Sequence, residues 1–192
     1  MKKVLLLTAF VCLLAFSAFA QDKKATDFSG SWTLDTSKSK LDARARIESM
    51  TLNVTQTDKE IKIESAAKRL PPPEGANQGG GNGQGGGMGR GMGRGMFGGG
   101  DGTSTYTLDG KETTTEIEGR MGKVPVKLKA EIESDGKLKL SRSSTFNTPD
   151  GERTATTKET WTLSSDGKTL TVKRDSESPF GTNSSELVFT KK

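Results

Sequence analysis

Between Val124 and Glu133 the chain alternates residue by residue. Val124, Val126, Leu128, Ala130 and Ile132 take the even positions, and Lys127, Lys129, Glu131 and Glu133 the odd ones. A period of two places the apolar side chains on one face of an extended chain and the charges on the other, which is a half-buried β-strand. The same test predicts about ten strands, near residues 31–36, 47–57, 60–66, 103–109, 112–118, 123–134, 137–147, 152–164, 168–176 and 183–190, with one helical segment around Lys38–Ala45. Asp-Gly steps recur between these runs, at Asp101-Gly102, Asp109-Gly110, Asp135-Gly136, Asp150-Gly151 and Asp166-Gly167. Between alternating segments such a step is a strong hairpin signal, since it tolerates the positive φ angles of tight turns. Successive hairpins make an antiparallel meander that must hide one face and protect its edges. Closure into an up-and-down barrel does both. A two-sheet β-sandwich fits the same pattern, so the fold class is all-β, with barrel as the first reading and sandwich as the alternative.

The inward faces are thinly apolar. Trp32 and Leu34; Met50, Leu52 and Val54; Ile61 and Ile63; Tyr106 and Leu108; Leu138 and Leu140; Trp161 and Leu163; Leu170 and Val172; and Leu187 and Phe189 form same-face sets. Continued, the alternation puts Arg142 and Ser144 before Phe146, Glu159 before Trp161, and Arg174 after Val172. A barrel of this strand number has room for more than its own side chains, and buried charge is costly unless paired or hydrated. An apolar floor with a polar, partly wet upper interior follows. Arg142 and Arg174 could grip a carboxylate or phosphate through paired hydrogen bonds, and Arg153 shares that face if its strand is unbroken. The plainer reading is an Arg–Glu pair through Glu159, or charges that meet bulk water at the rim.

The N-terminus sets the address. Lys2 and Lys3 precede an apolar run from Val4 to Phe16, and Ala18 and Ala20 fit the small-residue rule for signal cleavage. Residues 1–20 read as a cleaved signal peptide, and the run is too short to span a bilayer. The expected destination is the periplasm or the medium, by the Sec route. These residues hold 16 of the chain's 58 hydrophobic residues, leaving 42 for the other 172. That is about a quarter, against roughly 45–50% in an ordinary globular composition that also counts Gly. The chain has no His, and its one Cys, Cys12, lies within the signal run. Triads built on His, and zinc sites built on His or Cys, are therefore excluded from the mature chain. No catalytic residues and no cofactor are expected, and residues 21–192 read as one domain.

Residues 71–102 interrupt the meander. Pro71-Pro72-Pro73 lead into a stretch in which residues 75–102 contain 16 of the 24 glycines. With few side chains to bury, this segment reads as a long disordered loop. Met88, Met92 and Met96 recur every fourth residue with Arg90 and Arg94 between them. Three thioethers are a soft donor set suited to Cu(I) or Ag(I), though the arginines oppose a cation. A loop that touches an anionic envelope surface is another reading, and low-complexity expansion without a specific ligand is the leading one; two Arg, one aromatic (Phe97) and an exported address argue against nucleic acid.

Phe28-Ser29-Gly30-Ser31-Trp32-Thr33-Leu34 has the form Phe-x-Gly-x-Trp-x-Leu at the head of a meander. It resembles the opening of the calycin barrels, the lipocalins and fatty-acid-binding proteins. The resemblance implies a barrel around a small, mostly apolar ligand, with Trp32 closing the floor and Gly30 allowing close backbone packing. Ten strands lie nearer the fatty-acid-binding branch. That branch holds its ligand's carboxylate with Arg-x-Tyr on the last strand; here that strand reads Leu187-Val188-Phe189-Thr190. The chain is also similar to exported bacterial proteins of unknown role, which share Lys38-Ser39-Lys40 and an ending like Trp161-Thr162-Leu163…Leu187-Val188-Phe189. The expected function is a monomeric, non-enzymatic carrier of a lipid-like or amphipathic anion. Its ligand would lie against Trp32, Tyr106 and Trp161, with Arg142 and Arg174 at the head group. The alternative is an envelope module that works through the Gly-Met-Arg loop.

Overall fold

The computed structural model of the chain describes residues 26–41, 45–71, 102–119, 122–148, 151–179 and 181–192. It contains ten strands: β1 (Gly30–Leu34), β2 (Ile47–Gln56), β3 (Glu60–Arg69), β4 (Gly102–Thr107), β5 (Asp109–Gly119), β6 (Gly122–Ile132), β7 (Leu138–Thr148), β8 (Gly151–Leu163), β9 (Thr169–Ser178) and β10 (Gly181–Lys191). Each coincides with a strand the alternation predicts. All ten belong to one antiparallel sheet in the order β4-β3-β2-β1-β10-β9-β8-β7-β6-β5. The first strand pairs with the last, Trp32 opposite Lys191 and Leu34 opposite Phe189. The two edges, β4 and β5, approach each other, and β4 also meets β6. This is an up-and-down barrel closed on all sides but one, and the sandwich alternative is set aside because there is a single continuous sheet.

The seam corrects one local expectation. Asp109-Gly110 does not form a hairpin, because β4 and β5 are not paired; it sits at a register shift where β5 meets β6. An Asp-Gly step bends the chain, but long-range pairing decides whether the flanking strands meet. Pro125 lies just past the end of the β6–β7 ladder, which stops at Val126 opposite Ser144. Of the predicted loop, Gly102 opens β4. Residues 72–101, with Met88, Met92 and Met96, and the whole signal segment 1–20 lie outside the described residues.

The predicted helix also gives way. Residues 36–38 form a turn and Lys40 makes an isolated bridge to Glu186, while 42–44 lie outside the described residues. Asp35 Oδ1 accepts the backbone N–H groups of Ser37 and Lys38. The Ser39 hydroxyl accepts the Val188 N–H at 2.9 Å and donates to the Asp35 carbonyl at 2.7 Å. Lys40 and Glu186 then exchange both backbone hydrogen bonds. The backbone groups a helix would need are thus committed to β10, and Lys38-Ser39-Lys40 is a staple across the β1–β10 pairing.

The two ends of the barrel differ. At one end residues 26–29 lie across the floor, bonded to Gln56 at the end of β2 and set against Gly136 in the β6–β7 turn. Phe28 is fully buried; its N–H donates to Gln56 Oε1, and Gln56 Nε2 donates to the Thr26 carbonyl. Trp32, also fully buried, donates its indole N–H to the Phe28 carbonyl at 3.1 Å. Phe28 in turn sets its ring edge-on to Trp161, centroids 6.1 Å apart. The core residues Met50, Ile61, Leu138, Leu170, Leu187 and Phe189 fill in around these aromatics. At the other end the β7–β8 ladder runs out to Thr148 and Gly151, but β6 pairs with β7 only from Val126 inward, and β8 with β9 only from Thr156 inward. Beyond Val126 and Ser144, β6 and β7 are therefore no longer paired, and β8 runs on past the end of β9 at Ser178.

Candidate functional site

The interior changes character partway along the barrel. The inward face of β7 passes from buried Leu138 and Leu140 to Arg142, Ser144 and Phe146. That of β8 passes from Trp161 to Glu159, Thr157 and Ala155; that of β9 from Leu170 and Val172 to Arg174 and Ser176; and that of β10 from Phe189 and Leu187 to Ser185 and Asn183. No register shift interrupts these ladders. Arg142 stands opposite Thr157, Glu159 opposite Arg174, and Arg174 opposite Ser185. Four neighbouring strands thus carry a polar belt immediately above the apolar floor.

Glu159 organises the belt. Its Oε1 accepts a hydrogen bond from Arg174 Nε at 2.6 Å, and its Oε2 accepts one from the Trp161 indole at 2.7 Å. The Arg174 and Glu159 side chains are only 13% and 15% exposed. With both carboxylate oxygens engaged, the pair meets the condition under which a buried ion pair is tolerated. Trp161 ties it to the floor, since the same indole packs against Phe28.

Arg142 is treated differently. Its Nε is buried and has no hydrogen-bond partner. A guanidinium N–H left without an acceptor in the interior is costly, and among the described belt residues Arg142 Nε is the fully buried side-chain atom left without a partner. Tyr106 completes the set from the facing strand β4. Burial first, and then the Glu159 charge, push its phenol up to about 12, against the opposing influence of Arg142, a Ser104 hydrogen bond and Arg174. The hydroxyl therefore stays protonated at physiological pH, within the electrostatic influence of all three charges.

Of the candidate residues read from the sequence, Arg142, Arg174, Trp161 and Tyr106 come together around Glu159. Trp32 lies in the floor beneath them, linked through Phe28. Lys191 Nζ stands 5.1 Å above the Trp32 ring, closing it off on the β10 side. The Arg–Glu pairing holds for Arg174, which is bonded to Glu159, while Arg142 is half-buried and its Nε has no hydrogen-bond partner. Arg153 shares the inward face of β8 but is exposed at the hairpin tip. Ser104, and the Thr157 and Ser176 hydroxyls 3.3 Å apart across β8 and β9, were not singled out. Extending the alternation two residues back from Tyr106, or four beyond Trp161 and Val172, reaches all of them. Among the described residues no group of three or more His, Cys, Asp or Glu could hold a metal ion, and no helix is long and apolar enough to cross a membrane.

Fold and interior define a ten-stranded up-and-down barrel with an apolar floor and a charged belt above it. No family model matches the chain, and no curated protein matches it. Among solved structures it is similar to the crystal structure of zebrafish ileal bile acid-binding protein complexed with cholic acid, at 16% identity and a TM-score of 0.46, over 86% of this chain and 98% of that one. The fold assignment stands on the strand order and register given above.

Proposed function

We propose that this protein is an exported, non-enzymatic carrier of a small amphipathic anion, released from residues 1–20 by signal cleavage. The observation that carries the reading is the unpartnered, buried Nε of Arg142 beside a neutralised Arg174–Glu159 pair. An anionic head group at Arg142 would supply the missing acceptor. The apolar part of the ligand would lie among Leu128, Val126 and Phe146, the buried apolar neighbours that share the β6–β7 wall with Arg142. Beyond the belt, the inward positions on β9 and β10 hold Ser176, Ser178, Ser185 and Asn183, all half-buried. Such small polar side chains fill little space, and they favour an interior that admits water and solute from the end opposite the floor. Apolar burial would provide most of the affinity and the polar groups the orientation, as in small-molecule sites generally.

The test is native mass spectrometry of protein purified from its own host, followed by thermal denaturation with single-chain carboxylates and sulfonates. A ligand at about 100 times its Kd stabilises a fold by about 2.7 kcal/mol, which for a domain of this size is a shift on the order of 5–10 °C. A retained small molecule, or such a shift, supports the reading. An empty protein with no shift across the panel overturns it.

A further inference from the structure

Resting on the carrier reading, we infer that Glu159 is the specificity-determining residue of the interior, limiting the ligand to one negative charge. Three charged side chains stand in the belt among the described residues: Arg142, Arg174 and Glu159. The other inward-facing arginines lie nearer the end opposite the floor, where Arg69 donates to the Ala45 carbonyl at 2.9 Å and Arg153 is exposed. Glu159 faces Arg174 in register, and its two oxygens are held by two donors. It therefore cancels one of the two cations and leaves a net charge of plus one, centred on Arg142. A ligand with one charge completes that balance. A neutral ligand leaves the Arg142 cation without a counter-charge. A dianion brings a second charge that must sit near the Glu159 carboxylate, in a medium where charges act more strongly than in water.

The chemical class selected is thus a single-chain amphiphile with a singly charged oxyanion head, such as a carboxylate. Glu159 does not touch this ligand; it acts by consuming Arg174, so it is a charge filter rather than an anchor. Glu159→Gln should leave both arginines cationic and shift preference toward a doubly charged head. The double variant Glu159→Gln with Arg174→Gln has the same net charge as the natural belt and should restore its preference. Arg142→Gln leaves a net charge of zero and should favour a neutral head.

The experiment compares dodecanoate, dodecyl phosphate and dodecanol by titration calorimetry with the full mature chain. At pH 8 the phosphate monoester carries close to two charges. The natural protein should favour dodecanoate over dodecyl phosphate by tenfold or more. Glu159→Gln should change that ratio at least tenfold toward the phosphate, and the double variant should bring it back. Arg142→Gln should move the dodecanoate-to-dodecanol ratio toward dodecanol by a similar factor. If dodecanoate binds the natural protein but its ratio to dodecyl phosphate is the same in folded Glu159→Gln, the filter is overturned and the carrier reading stands. If Glu159→Gln does not fold, the double variant and Arg142→Gln decide: a double variant that fails to keep the natural ratio, or an Arg142→Gln ratio that does not move, overturns the filter. If none of the three amphiphiles binds the natural protein, both fall.

Discussion

Tyr106 shows what the interior does to a single group. In the unfolded chain a tyrosine loses its proton near pH 10; burial and the Glu159 charge hold the folded value at about 12. Between those values the folded protein keeps a proton the unfolded chain has released. Tyr106 therefore contributes no penalty below pH 10 and costs stability progressively as pH rises to 12, by about 2–3 kcal/mol in all. Tyr106→Phe has no proton to lose. Urea midpoints from pH 9 to 12 should fall more steeply for the natural protein than for the variant, and parallel curves would contradict the assignment. The charges that act on Tyr106 were not legible in the sequence, because they come from the β7–β9 belt across the barrel, and local periodicity carries no information about facing walls. The Glu159–Arg174 pair was within reach of the sequence. Both residues fall on inward faces, and counting outward from the turn at 164–169 sets them opposite each other.

Among the elements, strands were the most legible, because period-two alternation and burial have one cause. The turns needed finer reading. At 133–137 the Gly136 N–H donates to the Glu133 carbonyl and the Glu133 N–H to the Lys137 carbonyl; the turn at 164–169 repeats the first bond in Gly167 N–H to the Ser164 carbonyl. Gly136 and Gly167 have positive φ, and among non-glycine residues only Arg46 does in the described chain. Each is thus a turn whose strain falls on the glycine alone, with the preceding Asp accepting the N–H of the following Lys. The two glycines differ in surroundings. A Cβ on Gly136 would sit 2.5 Å from Thr26 Oγ1, whereas nothing lies within 4 Å of one on Gly167. Gly167→Ala should cost about 1–2 kcal/mol, the strain of a left-handed non-glycine residue. Gly136→Ala should cost more, and adding Thr26→Ala should remove the excess. Equal costs in urea unfolding would mean that residues 26–29 do not seal the floor.

The Lys38–Ala45 helix was misread because the residues that break it act at a distance. Ser39 is tied to Val188 and Lys40 to Glu186, contacts nearly the whole chain apart. Ser39→Ala should cost about 1–2 kcal/mol, since it strips a half-buried N–H of its acceptor. A midpoint change under a few tenths of a kcal/mol would show that the staple does not support the closure.

At the scale of the molecule, the account rests on the contrast between the barrel's ends. One is filled by Phe28, Trp32 and Trp161; at the other the β6–β7 and β8–β9 pairings stop short and the inward residues turn small and polar. Composition anticipated this contrast, since a quarter of apolar residues cannot fill a barrel throughout. It could not show where the barrel fails to close, because Asp109-Gly110 looks like any other turn and only the pairing of β4 with β3 and of β5 with β6 creates the seam. Among the described residues, the interior presents one cation without an ion-pair partner, at Arg142. The most direct measurement is NMR of the arginine Nε–H groups during titration of the mature chain with dodecanoate. The Arg142 signal should shift strongly and become protected from exchange, while Arg174, already bonded to Glu159, should change little. Dodecanoate that binds without moving the Arg142 signal, or that moves Arg174 instead, would contradict the account.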